Sequence, residues 1–164
     1  MVSFNAPKAG TSVGDLTVEH KRDPMGITVP VPRLSWKIFS AEPGQIQTAY
    51  QVLAASSPDK LSERKADMWN SGKVESDQSI LVEYGGRELL SRDRCWWSVR
   101  VWDKNGRSGE WSEPAYFEMG LLNPSDWKAE WITSSLRFEE ASHPAPLFRK
   151  EFSLGKQVAF ARMY

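Results

Sequence analysis

The side chains best suited to chemistry gather in one stretch, CWWSVRVWDKNGRSGEWSEPAYFEMG, from Cys95 to Gly120, which holds four of the chain's eight tryptophans. Successive residues of a strand point to opposite faces. Cys95, Trp97, Val99 and Val101 therefore share one face, and Trp96, Ser98, Arg100 and Trp102 share the other. Trp96, Trp102 and Trp111 around Arg100 form a candidate ligand-binding group. A planar guanidinium stacks well on indole rings, and binding faces combine aromatic surface with a few fixed polar groups. The same group would serve structure alone if a neighbouring loop or a following domain covered it, and both readings stay open at this point.

The remaining candidates for chemistry are weak. Cys95 is the single cysteine, which excludes an intrachain disulfide and a cysteine-rich metal site. Its alternation aims it inward, where a thiol behaves as a small hydrophobe. A cysteine nucleophile needs a histidine beside it in space, and the two histidines, His20 and His143, stand in polar or proline-rich surroundings. Glu139 and Glu140 are the tempting carboxylate pair, but adjacent loop residues cannot flank a bond from opposite sides. No catalytic residue, metal ligand or cofactor is expected.

These residues must be positioned by strands. Apart from SPDKLSERKAD, Ser57 to Asp67, where Ser57 could cap a short helix with Pro58 at its first position, helical periodicity is weak. Period-two runs bounded by Gly, Pro, Asn and Asp predict strands near Asp15–Glu19, Arg33–Phe39, Ala49–Ser56, Met68–Lys73, Ser79–Val82, Cys95–Asp103 and Ala115–Gly120. Their short connections suit a seven-stranded antiparallel sandwich, since parallel strands would require long crossover helices. The fold class is all-β. Trp36 and Trp97 are core anchors, each able to bury about 150–250 Å², and Tyr50, Val52, Cys95, Val99 and Val101 complete the expected core.

Composition agrees with a folded domain. Apolar residues make up 40% of the 164 and aromatics 12%, too many for a disordered chain. Lys+Arg and Asp+Glu balance at 21 each, so no nucleic-acid footprint is indicated. No apolar run is long enough for a membrane-spanning helix. The first residues, MVSFNAPKAGTSVGD, have neither the basic nor the apolar region of a signal peptide. A cytoplasmic protein and an exported one after processing would both look like this.

The domain plan is a flexible segment over residues 1–14, a sandwich over 15–120, a linker over 121–135 carrying Trp127 and Trp131 as anchors, and a new β segment over 136–164. LFRKEFSL and VAFARMY supply the strand-like runs of that last part. The alternation stops mid-run at Tyr164, and an apolar strand without a partner is unfavourable. A second sandwich domain, cut short, is the expectation.

The spacing from Trp36 through Tyr50-x-Val52, Leu89, Val99-x-Val101 and the DKNGRSGEWS turn resembles a fibronectin type III or immunoglobulin-like module. Leu89 matches the leucine of that family's tyrosine corner, but Cys95 stands where the tyrosine would be, so the corner's hydroxyl bond must be missing or replaced. A narrower resemblance rests on LTVEHKRDPMGITVPVPRLSWKI, YQVLAAS, WNSGKVESDQS, CWWSVRVWDKNGRSGEWSEPAYFEMGLL, DWKAEWI and PAPLFRKEFSL. In order and spacing these resemble the amino-terminal region of bacterial α-L-rhamnosidases, the family 78 glycoside hydrolases. That resemblance implies an accessory sandwich. The family's inverting chemistry resides in a later (α/α)₆ barrel, so no catalytic residue carries over.

Three functions follow. The first is a non-catalytic accessory segment of an α-L-rhamnosidase, partnered by downstream domains of the same polypeptide. The second is a carbohydrate-binding module using Trp96, Arg100, Trp102 and Trp111. The third is a protein-binding module, because GEWSEP is similar to the Trp-Ser turns of cytokine-receptor domains; the lone cysteine argues against that class.

Overall fold

The alternation in RLSWKIFS appears directly in the burial of its strand. Leu34 and Trp36 are almost wholly buried, while Lys37 between them and Ile38 faces solvent. The computed structural model describes residues 11–133, 145–158 and 161–163. Among them are eight strands: β1 (Thr11–Val18), β2 (Arg33–Ser40), β3 (Ala49–Ala55), β4 (Trp69–Asn70), β5 (Val74–Glu75), β6 (Val82–Glu83), β7 (Arg94–Trp102) and β8 (Ala115–Glu118). They form a three-stranded sheet in the order β1-β2-β6 and a five-stranded sheet in the order β4-β3-β7-β8, with β5 also on β3. Every strand pair is antiparallel. The inner faces meet in one core that includes Val18, Leu34 and Trp36 from one sheet and Val52, Trp97, Val99 and Phe117 from the other. The architecture is an all-β antiparallel sandwich.

Tyr50, Val52, Cys95, Trp97, Val99 and Val101 are all buried in this core beside Trp36. The rings of Trp36 and Tyr50 meet edge to face with centroids 5.2 Å apart, a favoured aromatic geometry. The Trp36 indole Nε1 donates to Gln47 Oε1 at 2.9 Å. Gln47 Nε2 in turn donates to the carbonyls of Ser76 and Gln78, so one buried amide ties the aromatic anchor to the β5–β6 connection. A buried polar handle without such a partner would cost about 1–3 kcal/mol.

Four local expectations change, each for a stated reason. Strand β1 starts at Thr11, so residues 11–14, expected to be flexible, pair with β2 from Thr11↔Ser40 to Gly14↔Lys37. The register shifts between Gly14 and Thr17, where Asp15 takes φ 51, and that irregularity disrupts the alternation. The run expected over Met68–Lys73 divides into β4 and β5, because Gly72 turns at φ 62 and Ser71 Oγ accepts the Val52 amide. The run expected over Ser79–Val82 moves to Val82–Glu83, since Leu81 at φ 55 bends the chain and donates its amide to Ser35 Oγ. The Ser57–Asp67 helix reduces to one 3-10 turn, Pro58–Lys60. There the Asp67 carboxylate takes the Ser56 amide, the Ser56 hydroxyl and the Lys60 ammonium, folding the segment as a loop.

The tyrosine corner's own hydroxyl bond is missing, and a different buried hydroxyl bond is present in the core. Leu89 and Cys95 are both buried, and the Tyr84 hydroxyl donates to the Met68 carbonyl at 3.3 Å. Gly86 is required beside it, because a Cβ there would collide with Tyr84 Oη and Met68 O. The outer edge of β8 is closed by the segment before β2. Glu118 N donates to Pro24 O, Ile27 N to Glu118 O and Gly120 N to Ile27 O, removing groups that would otherwise invite a foreign strand.

The chain divides into two units, Met1–Lys128 and Ala129–Tyr164. At the end of the first unit the turn Pro124–Asp126 is held by polar contacts: Leu122 N donates to Ser91 Oγ, and Asp126 accepts from Ser91 and from the Asn123 amide. Trp127 and Trp131, expected as buried anchors, are 54% and 101% exposed; in this segment hydrogen bonds, not aromatic burial, fix the chain. In the second unit residues 145–158, which include the LFRKEFSL run, form no strand and are exposed. Two strands are marginal without a sheet to join. Of VAFARMY, Ala159, Phe160 and Tyr164 lie outside the described residues, and the rest of that run is not a strand either.

Because Trp36 joins the two sheets through both its ring and its Nε1, Trp36→Ala should lower unfolding free energy by about 3–5 kcal/mol in urea denaturation. Trp102→Ala, at a half-exposed position, should cost about 1–2 kcal/mol, the scale of a partly desolvated cation–π contact. Equal losses would contradict the two-face assignment.

Candidate functional site

Arg100 lies on the outer face of the five-stranded sheet, and the β3–β7 register decides what surrounds it. Ala49 stands opposite Trp102, Gln51 opposite Arg100, Leu53 opposite Ser98 and Ala55 opposite Trp96. Gln51 Oε1 accepts from Arg100 Nε at 3.1 Å and from Nη2 at 2.8 Å, and Gln51 Nε2 donates to Asn70 Oδ1. Above the sheet, Glu63 of the Ser57–Asp67 loop pairs with the same guanidinium.

Two indoles sandwich that guanidinium. Its central carbon is 5.1 Å from the Trp102 ring centroid and 4.8 Å from that of Trp111, and Lys73 Nζ sits 5.2 Å from the Trp102 centroid. Trp111 reaches its place through a tight turn and a serine. Gly106 adopts φ 73, and the Asp103 carboxylate accepts the amides of Asn105 and Arg107. The Arg107 amide above all holds the Asp103 carboxyl below its ordinary range. Beyond the turn, Ser112 N donates to Val99 O, Ser112 Oγ accepts Val99 N, and Ser98 Oγ donates to Ser112 O. The Trp-Ser segment thus runs along β7 and lays Trp111 over Arg100.

Of the four candidates, the structure brings Arg100, Trp102 and Trp111 together and leaves Trp96 out. Four residues along a strand is about 13 Å, beyond the reach of one aromatic group. Trp96 instead packs on Tyr116 with centroids 5.0 Å apart, and Arg94 covers the other part of that pair at 5.6 Å. Gln51 and Glu63 were not foreseen. Pairing YQVLA with WSVRV in register would have found Gln51, whereas Glu63 lies on a loop whose path leaves no periodic signal.

Between the Ser57–Asp67 loop and the Trp111–Pro114 segment lies a groove of about 580 Å³. Leu53, Ser98 and Arg100 contribute from the sheet, Pro58, Leu61 and Glu63 from the loop, and Trp111 and Pro114 from the far wall.

The other chemistry-bearing residues take structural positions. Burial pushes the Cys95 thiol well above its ordinary pKa. His20 is exposed at φ 65, and His143, Glu139 and Glu140 lie outside the described residues. Carboxylates on the sandwich are engaged by cations: Glu118, fully buried, with Arg94; Glu19 with Arg33; Asp15 with Lys37 and Arg22; Asp67 with Lys60. Asp15, Glu19, Asp67, Asp103 and Asp126 are all held below the usual carboxylate range. A general acid needs the opposite shift.

Two measurements follow. Native Cys95 should react with a thiol reagent orders of magnitude more slowly than the unfolded chain, because the thiolate is the nucleophile and burial disfavours it; comparable rates would place it outside the core. Asp67 is held ionised by the hydrogen bonds of Lys60 and then Ser56. Its folded pKa lies below the unfolded value of about 3.9, so the tether stabilises above that value and is lost as pH falls through the folded one. The melting temperature should therefore drop between about pH 5 and 2, less steeply in Asp67→Asn; parallel curves would show that the tether contributes nothing.

The description of the N-terminal immunoglobulin domain of Rha78A-like proteins matches residues 13–123. An α-L-rhamnosidase of Streptomyces avermitilis is 49% identical over 125 residues, covering 76% of this chain and 12% of that protein. One from Formosa agariphila is 42% identical over 164 residues, covering 88% of this chain and 17% of its own length. The crystal structure of Streptomyces avermitilis α-L-rhamnosidase complexed with L-rhamnose superposes with a TM-score of 0.73 at 47% identity, over 76% of this chain and 12% of that one. This chain therefore spans less than a fifth of these relatives, in their N-terminal accessory domain. The matched residues run through both sheets, from β1 to the turn after β8, and the chain belongs to the family of Rha78A-like N-terminal immunoglobulin domains.

Proposed function

We propose that this chain is the non-catalytic amino-terminal sandwich of an α-L-rhamnosidase, an enzyme that removes terminal α-L-rhamnosyl residues from glycans or glycosides. It supports a catalytic barrel carried by other domains of the same polypeptide. The observation that carries this reading is the unbroken match over residues 13–123 to the N-terminal domain of enzymes bearing that name. The state of the carboxylates supports it. Inverting hydrolysis needs two carboxyl groups about 6.5–9.5 Å apart with one pKa raised, whereas Asp15, Glu19, Asp67, Asp103 and Asp126 are held low by cations, hydroxyls and backbone amides. They act as tethers.

Incubated with an aryl α-L-rhamnoside, the chain should give no turnover above buffer. Excising the matching segment from the Streptomyces avermitilis enzyme should lower its melting temperature and soluble yield, with KM for the aryl substrate changed by less than about twofold, as for a group remote from substrate. Turnover that co-purifies with this chain and disappears in Glu63→Gln would overturn the non-catalytic reading. An excised enzyme of unchanged stability would overturn the supporting role.

A further inference from the structure

The groove beside Arg100 has a composition that structural support does not explain. Its volume, about 580 Å³, falls within the roughly 300–1,000 Å³ of small-ligand sites. Leu61, Trp111 and Pro114 give it apolar surface, and its charges are unbalanced: Arg64, Lys65 and Arg100 against Glu63 alone. Three cations and one carboxylate leave a net charge of +2 in the groove, on a chain whose formal net charge is zero. Glu63 is already taken by Arg100. Arg64 and Lys65 are exposed and have no side-chain partner among the described residues.

The walls are also held in place in advance. Ser112 pins the Trp111 segment to β7. The opposing loop is tied at its base by Asp67 to Ser56 and Lys60, and across the groove by Glu63 to Arg100. A rigid site spends less of its interaction energy on ordering itself. The Trp111 indole, Pro114 and Leu61 offer apolar surface to the C–H face of a pyranose ring. Two unpartnered cations at the rim accept an anion carried by that ring.

We propose that this groove binds an acidic sugar, a pyranose bearing a carboxylate, with Trp111 and Pro114 against the ring and Arg64 and Lys65 on the carboxylate. The inference rests on the accessory-domain reading only for the presence of a glycan nearby; the charge and shape come from the groove itself. In the complete enzyme the site would hold an acidic polysaccharide chain while the barrel works elsewhere on it.

The test is titration of this chain with an oligogalacturonide, followed by amide and indole NMR shifts. Saturable shifts confined to Leu61–Lys65 and the Trp111 indole are expected, with Kd in the range of about 0.1–10 mM. Arg64→Gln/Lys65→Gln should weaken binding at least about tenfold, and raising salt to about 0.5 M should do much the same. Both positions are exposed, and an unchanged melting temperature of the double variant confirms that the fold is intact. The proposal is overturned if no saturable shift occurs, if L-rhamnose binds as tightly as the uronide, or if the shifts map elsewhere. It is equally overturned if inorganic sulfate or an oligoglutamate peptide produces the same shifts with the same affinity, since the sugar ring would then contribute nothing. None of these outcomes involves hydrolysis or the excised enzyme, so failure here leaves the accessory-domain reading standing, and the reverse.

Discussion

The rest of the molecule depends on the antiparallel ladder between β3 and β7, which runs without a break from Ala49↔Trp102 to Ala55↔Trp96. Every residue of β3 is buried, on both faces. On the inner face the ladder sets Tyr50, Val52 and Ala54 beside Val101, Val99 and Trp97, opposite the β2 anchor Trp36. On the outer face it sets Gln51 beside Arg100. Because side chains alternate with period two, a slip of one residue would exchange these faces, exposing the core aliphatics and burying a guanidinium without its amide partner. One register therefore specifies the core and the outer polar group together.

A central strand buried on both faces needs something to cover its outer side, and here that cover is built from irregular backbone. The Ser57–Asp67 loop comes over β3, and the Trp111–Pro114 segment lies along β7. Neither has a regular ladder of its own, so turn-type backbone bonds are supplemented by side chains: Asp67 for the loop, Asp103, Ser98 and Ser112 for the Trp-Ser segment. Exposed ion pairs contribute little by themselves, about 0–1 kcal/mol, and their value here is geometric. The Arg94–Glu118 pair differs, since Glu118 is fully buried; removing one partner from such a pair is typically costly.

Asp67, Asp103 and Asp126 are thus committed to holding loops, which suits an accessory part better than a catalytic one. The family match ends at residue 123, a few residues past β8. What distinguishes the outer face from a plain scaffold surface is the groove, where apolar walls meet cations that have no internal partner.

Much of this was legible in the sequence, and the reason is periodicity. A half-buried strand must alternate, so RLSWKIFS, AYQVLAA and RCWWSVRVW reveal their strands and inner faces without coordinates. The Asn-Gly turn and the placing of Arg100 and Trp102 on one outer face follow from the same period. Alternation is silent wherever the chain leaves regular backbone. The bulge near Asp15, the break at Gly72 and the bend at Leu81 each rest on one residue with positive φ, free for the glycine but for Asp15 and Leu81 a cost that neighbouring contacts must offset. That Trp96 lies too far along β7 to join Arg100 follows from the rise of one strand; that it packs on Tyr116 depends on the β7–β8 register, which a single strand's pattern does not contain. Nor could the sequence show that Glu63 reaches Arg100, or that the Tyr84 hydroxyl bonds the Met68 carbonyl. The Glu63 contact exists only once β3 and β7 have paired, because it joins residues 37 positions apart along the chain; the Tyr84 hydroxyl bond likewise spans 16 positions and needs the two sheets to meet.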